Sequence, residues 1–181
     1  MQMSAAAAKS AAADVHLTEV DSHAFRDVMR NIAGTVAIVT AGEGDARRGL
    51  TITTVCSLSA EPPSVAICIN RSAEAHDVIE RAGTFGVSIL STDHADLART
   101  FSGQDGTKGL ARFGKGAWDE MKTRAPLLDD AVANLDCKIM KTLDVGTHSL
   151  FCGLVVGARV GPASRPLLHY RGQFFADELK S

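Results

Sequence analysis

The stretch Gly49-Leu50-Thr51-Ile52-Thr53-Thr54-Val55-Cys56-Ser57-Leu58-Ser59, closed by Glu61-Pro62-Pro63, restricts this chain more than any other. β-Branched residues crowd it and two prolines stop it, the pattern of a strand. Side chains alternate across a strand, so the stretch has two faces. Thr51, Thr53, Val55, Ser57 and Ser59 form one, nearly all hydroxyls; Ile52, Thr54, Cys56, Leu58 and Ala60 form the other, mostly apolar. The expectation is one strand that turns its apolar face to a core and lays a ladder of hydroxyls along the other. Such a ladder can hydrogen-bond an extended polar ligand. The plain alternative is a solvated face, where Thr is common.

The 181 residues suffice for one domain and its core, and are too few for two comfortable ones. A net charge of -2 gives no argument for nucleic acid or for an anionic membrane. No apolar run approaches the roughly 20 residues that span a bilayer. Cys56, Cys68, Cys137 and Cys152 lie far apart with no C-x-x-C pair, and the histidines show no metal-ligand spacing. Buried free thiols in a reducing cytoplasm, with no metal, is the expected state.

Residues 1–20 are expected to be a flexible Ala-rich tail, unlike a signal peptide, and residues 21–177 one domain. Asp21 or Ser22 can cap a helix with Ala24, Phe25, Val28, Met29 and Ile32 at helical spacing, ended by Gly34. Strand 35–40 and the hydroxyl strand then form a hairpin around Gly42-Glu43-Gly44-Asp45. A strand over 64–70, a short helix over 73–81 ended by Gly83, and a strand over 84–90 follow. Ser91-Thr92-Asp93 caps a helix from His94 to about Thr100. The polar loop from Phe101 through Lys115 is long enough to suggest that it covers something. Strands over 135–143 and 148–160 flank the turn Asp144-Val145-Gly146-Thr147, and a short strand over 167–170 closes the chain. Hairpins with few helices suggest an antiparallel barrel. No G-x-G-x-x-G joins a strand to a helix, which argues against a Rossmann domain.

Several separated blocks resemble one family, the short-chain flavin reductases that serve as reductase components of two-component flavin monooxygenases. They are Gly34-Thr35-Val36-Ala37-Ile38-Val39-Thr40, residues 49–63, Cys68-Ile69-Asn70-Arg71-Ser72, and Phe85-Gly86-Val87-Ser88-Ile89-Leu90. Arg99-Thr100-Phe101-Ser102-Gly103, Gly146-Thr147-His148-Ser149-Leu150-Phe151, and Pro166-Leu167-Leu168-His169-Tyr170-Arg171-Gly172 complete the set. The resemblance runs in order from about Phe25 to Phe175. The Val55-Cys56-Ser57 and Cys68 to Ser72 blocks look most like reductases paired with a pyrimidine-degrading monooxygenase.

The resemblance implies a mainly β, antiparallel Greek-key split β-barrel with a few short peripheral helices. It implies a cytoplasmic homodimer that binds FMN or FAD, takes a hydride from NADH or NADPH, and passes reduced flavin to a separate monooxygenase. The residues it assigns to the flavin are Thr51, Thr53, Thr54, Val55, Cys56 and Ser57, through hydroxyls and main-chain groups. To these it adds Arg71 and Ser72 ahead of a helix N-terminus suited to a phosphate, Ser88, and Phe101, Ser102 and Gly103 in a post-helix loop. His148 is the catalytic candidate. It stands where the family has Gly-Asp-His, with Thr147 in place of the carboxylate. His148, Tyr170 and Arg171 are assigned to the nicotinamide nucleotide, and His76, His94 and His169 are left structural. Two other functions fit the same barrel: a flavoprotein that keeps its flavin and reduces something else, and a non-enzymatic flavin- or haem-binding module. A purely structural barrel would bind no flavin at all.

Overall fold

The computed structural model describes residues 19–163 and 165–175, so nearly all of the expected tail lies outside the described residues. Helix α1, Ser22–Met29, opens the fold, with the Asp21 carboxylate accepting from the His23 and Ala24 amides at 3.2 Å. It stops at Met29, well before Gly34, and none of its residues is buried. The strands are β1 (Gly34–Thr35), β2 (Ala37–Ala41), β3 (Arg48–Ile52), β4 (Val55–Ala60), β5 (Pro63–Asn70) and β6 (Thr84–Ile89). Helix α2, Glu74–Ala82, ends on Gly83 with φ 65°, a left-handed C-cap that suits glycine. Helix α3, Ala95–Ser102, ends likewise on Gly103, so Phe101 and Ser102 belong to its last turn and not to the loop beyond. Then come β7 (Trp118–Asp119), β8 (Leu127–Leu128), β9 (Ala133–Val145), β10 (His148–Val160), β11 (Leu168–Tyr170) and β12 (Gln173–Phe175). The β11–β12 hairpin was not expected; its second strand is only three residues long.

The expected single strand over 49–59 is the main correction. It breaks at Thr53-Thr54 into β3 and β4, which lie at opposite ends of a seven-stranded antiparallel sheet ordered β3-β2-β6-β9-β10-β5-β4. Three Cα steps of about 3.8 Å join Ile52 to Val55, so these two ends of the sheet meet within ~11 Å. The sheet therefore rolls around one core. Ala37, Val39, Ile52, Ile67, Phe85, Val87, Cys137 and Phe151 are buried inside it, with Val55 packed against them. Because Ile52 and Val55 both point inward, the break reverses the parity. Cys56 and Leu58, expected to face the core, are exposed instead.

A second core fills the space between the barrel and α3, from Val36, Ile38, Leu90, Leu97, Phe101, Phe113, Leu128 and Leu167. Strand β2 is buried on both faces, which explains its unbroken apolar run. Ser88 lies wholly inside the fold. Its hydroxyl donates to Asn134 Oδ1 (2.8 Å) and accepts from the Leu128 amide (3.0 Å), while Asn134 Nδ2 donates to the Leu128 carbonyl. Buried polar groups satisfied in this way hold β8 to β6 and β9. That knot takes Ser88 out of reach of any surface ligand.

Candidate functional site

Three adjoining hollows follow the chain from Gly49 to Val55. The first, about 340 Å³, is lined by Gly49, Leu50, Thr51, Ser72 and the first residues of α2, with Phe101, Ser102, Lys108 and Arg112 opposite. The second, about 230 Å³, continues past Thr51, Ile52 and Thr53, faced by Ser102, Gln104, His169 and Phe174. The third, about 580 Å³, lies between Gly34, Thr35, Thr53, Val55, Ile89 and Pro166. Neighbouring hollows share Thr51, Ser102 and Thr53, so they make one trough.

Consecutive residues of β3 line this trough, which a single face of a pleated strand cannot do. The trough runs along the outer edge of β3, which pairs only with β2. A ligand there meets main-chain groups first. The expected hydroxyl ladder is replaced by an edge with two usable hydroxyl positions. Thr51 lines it, with Oγ1 donating to the Ala98 carbonyl at 2.7 Å, and Thr53 stands at the break. Gly34 keeps the wall open there: a Cβ on it would lie 3.0 Å from Thr53 Cβ.

One end of the trough is built for an anion. The N-cap of α2, Ala73, offers no side-chain cap to the amides of the first turn, whose partial positive charge suits an anion. Asn70 Oδ1 accepts from both the amide and the hydroxyl of Ser72 at 2.9 Å, which shapes the turn into α2. Arg112 is fixed by Nε to the Thr107 carbonyl (3.1 Å) and Nη1 to the Gly49 carbonyl (2.9 Å). A Cβ on Gly103 would lie 3.3 Å from Arg112 Nη2, so glycine there leaves the guanidinium its space. The Glu74 carboxylate is turned onto the Gly109 amide at 3.2 Å.

The loop that carries Lys108 and Arg112 is held by Asp105. Its carboxylate accepts from Thr100 Oγ1 (2.7 Å), the Thr107 amide (2.9 Å) and Lys115 Nζ (3.1 Å). Hydrogen bonding, from Thr100 first and then Thr107, holds this carboxyl well below the usual carboxylate range. Beneath the loop, Phe101, Phe113 and Trp118 form an aromatic triangle with centroids 5.0–5.3 Å apart. Phe101 is thus a core ring whose edge reaches the trough.

Of the flavin candidates, the structure brings Thr51, Thr53, Val55, Ser72, Phe101 and Ser102 to the trough, with Gly103 behind Arg112. Thr54 turns its hydroxyl to the Cys68 carbonyl (3.3 Å), and neither Cys56 nor Ser57 lines any of these three hollows. Arg71 and His148 meet each other at the end of β5. The Arg71 amide donates to the Thr147 carbonyl (2.9 Å), its Nη1 lies 3.4 Å from the Gly146 carbonyl, and His148 pairs with Asn70. Thr147 Oγ1 and His148 Nδ1 are hydrogen-bonded at 2.9 Å, so a hydroxyl orients this imidazole where the family has a carboxylate. Ser72 joins that corner to the trough.

Tyr170 and Arg171 point elsewhere. The Arg171 guanidinium grips Asn31 Oδ1 through Nε and Nη2 at 3.0 and 2.7 Å and lies over the Tyr170 ring. The trough-facing members of that hairpin are His169 and Phe174, as alternation requires once Tyr170 faces away. Sequence reasoning missed these two, and also Gln104, Lys108 and Arg112. The length of the loop was the available signal for the last three. Among the described residues no helix is long and apolar enough to cross a membrane.

Residues 29–176 match the model of the flavin reductase like domain. The chain is 32% identical over 166 residues to a protein of Agrobacterium fabrum named FMN reductase (NADH) RutF, covering 92% of this chain and 94% of that one. Among solved structures, the NADH:FAD oxidoreductase SgcE6 of Streptomyces globisporus, in complex with NAD and FAD fragments, superposes with a TM-score of 0.80. It is 30% identical, over 91% of this chain and 99% of that one. BorF, the flavin reductase component of a bacterial two-component tryptophan halogenase, gives 0.78 at 29% identity, over 86% and 97% of the two chains. On this match, and on the barrel and trough that accompany it, the chain belongs to the flavin reductase family.

Proposed function

We propose that this protein is an NADH-dependent reductase of free flavin, with FMN preferred, that hands the reduced flavin to a separate oxygenase. The observation that carries the reading is the trough itself: a strand edge with hydroxyls at one side and a basic, helix-capped pocket at its end. A flavin mononucleotide has that layout, a planar ring with alternating donors and acceptors joined by a polyol to a phosphate. Lys108, Arg112, Ser72, Ser102 and the α2 amides would hold the phosphate. Thr51 and Thr53 would meet the polyol and ring, and Gly34, Thr35 and Val55 the ring's flank. Bound there, the flavin supplies the hydride-accepting ring; the residues supply alignment, which is what hydride transfer needs most.

His148 and Arg71, at the corner beyond Ser72, are the proposed partners of the nicotinamide nucleotide, and His169 and Phe174 replace Tyr170 and Arg171 beside the ring. The site's hydrogen-bonding groups are neutral apart from the phosphate pocket, which suits a flavin that is bound, reduced and released. The relatives named above support NADH and a two-component setting. We also propose a homodimer. Phe25, Val28 and Met29 on α1, Ile32 just beyond it, Leu58 on β4, and Met140, Leu143 and Val145 on the β9–β10 hairpin are exposed apolar side chains. An eight-residue helix gains little stability without packing, so a second copy covering α1 explains its amphipathic sequence. The four unpaired cysteines suit a cytoplasmic protein.

Steady-state oxidation of NADH and NADPH, with FMN, FAD and riboflavin in turn, tests the reading. NADH with FMN should give the highest kcat/KM. A purified, folded protein that oxidises neither nucleotide with any flavin would overturn it.

A further inference from the structure

A fully buried serine beside His148 has no part in the scheme above. Residues 140–148, the projecting end of the β9–β10 hairpin, are all exposed, and His148 is the last of them. The next residue, Ser149, is 0% exposed. Its Oγ lies 2.6 Å from Asp144 Oδ1, on the residue directly opposite in β9, and 2.8 Å from His76 Nε2 on α2. His76 is itself buried, its ring tilted against Phe151 with centroids 5.5 Å apart.

The direction of these bonds follows from the donor inventory. An ionised carboxylate only accepts, so the Ser149 hydroxyl donates to Asp144 and its oxygen accepts from a hydrogen on His76 Nε2. One hydroxyl thereby ties both strands of the hairpin to the first turn of α2, the same turn that forms the anion pocket. Successive side chains of a strand point to opposite sides, so anchoring Ser149 inward fixes His148 outward.

We infer that Ser149 is a positioning residue: the Asp144–Ser149–His76 chain pins the exposed hairpin to α2 and thereby sets where His148 stands relative to the flavin trough. This rests on the role proposed for His148. The hairpin's own rigidity, measured without flavin, separates the two ideas.

In flavin-free protein, S149A should speed amide hydrogen exchange at Thr147 and His148 by at least about tenfold while leaving α2 and β6 unchanged. With FMN, kcat/KM for NADH should fall by about tenfold in S149A, yet change less than about twofold when S149A is added to H148A, because coupled residues are not additive. The FMN Kd should stay within about twofold of wild type. Should S149A fold poorly, H76F and H76Q replace it: the glutamine keeps an Nε2–H donor and should restore the exchange rates that the phenylalanine loses. Unchanged exchange at the hairpin, equal acceleration throughout the barrel, or an equal fall in activity in the H148A background would each overturn the inference. If H148A alone leaves turnover intact, the role of His148 falls, while the exchange data still decide that of Ser149.

Discussion

Replacing Lys108 by methionine isolates the electrostatic part of the phosphate pocket. Among the described residues the Lys108 ammonium makes no side-chain hydrogen bond or ion pair, whereas Arg112 also braces Gly49 and Thr107. Methionine keeps the length and apolar body of the side chain, so the loop loses little packing. A unit charge about 5 Å from a doubly charged phosphate is worth ~7 kcal/mol at an effective dielectric of ~20. The pocket is open to water and salt, which leaves about 1–2 kcal/mol of that, since exposed pairs are strongly screened. The FMN Kd should therefore rise roughly 5- to 30-fold. Riboflavin has the ring and polyol but no phosphate, and its Kd should move less than about twofold. Quenching of flavin fluorescence, titrated at low and high salt, gives both constants. The wild-type preference for FMN over riboflavin should shrink with added salt, and the variant's should shrink less. Equal weakening of FMN and riboflavin, or no change in either, would refute the placement of the phosphate beside Lys108.

Ser88→Ala leaves Asn134 Oδ1 and the Leu128 amide short of a partner in a wholly buried site, so it should cost about 1–3 kcal/mol in denaturant unfolding without shifting the FMN Kd. The Asp105 carboxyl is depressed in the folded state, so its contribution is present above the ordinary carboxylate pKa and is lost as pH falls toward the depressed one. Thermal melts of Asp105→Asn should lie below wild type at pH 7, and the gap should close as the pH drops below about 4. Burial, with Asp136 adding to it, pushes the Cys137 thiol up to about 12, so at pH 8 a thiol reagent should label the exposed Cys56 and leave Cys137 untouched in the folded protein. Charges at Phe25 and Ile32 (Phe25→Asp with Ile32→Asp) should shift sedimentation from dimer to monomer; an unchanged coefficient would remove α1 from the interface.

Much of the fold was legible because its signals are local. Gly83, the Asp21 cap and the turn around Gly42 punctuate the chain where the structure does. The division of residues 49–59 was not legible. Nothing in Thr53-Thr54 forbids a strand, and β-branched residues favour one. The break is imposed by closure: Ile52 and Val55, three residues apart, would face opposite sides of an unbroken strand, and both pack on the core only because the strand breaks between them. That demand comes from Phe85, Phe151 and the other residues of the barrel core, remote in sequence. Helix α1 forms where its spacing puts it. Its spacing is helical and its apolar stripe real, yet nothing in this chain covers it among the described residues.

The site was half legible for a different reason. A pattern of hydroxyls marks side chains, and Thr51 and Ser102 do line the trough. What makes the trough, however, is the outer edge of β3, where residues 49–53 follow one another along its wall. Edge groups belong to the backbone, and every residue has them, so composition carries no trace of which strand will be left unpaired. An exposed sheet edge also invites pairing with another chain. Here β3 is five residues long, and α3, the loop over 104–115 and the β11–β12 hairpin stand beside it and line the same hollows. The same break that lets the barrel close thus leaves the β3 edge, with Val55 at the start of β4, facing one trough. On this argument a proline at Thr53, which fixes φ and removes its N–H, should spare the barrel and weaken flavin binding. Substituting the Thr53 hydroxyl alone, by valine, should weaken it less; equal losses would return the burden to the side chain.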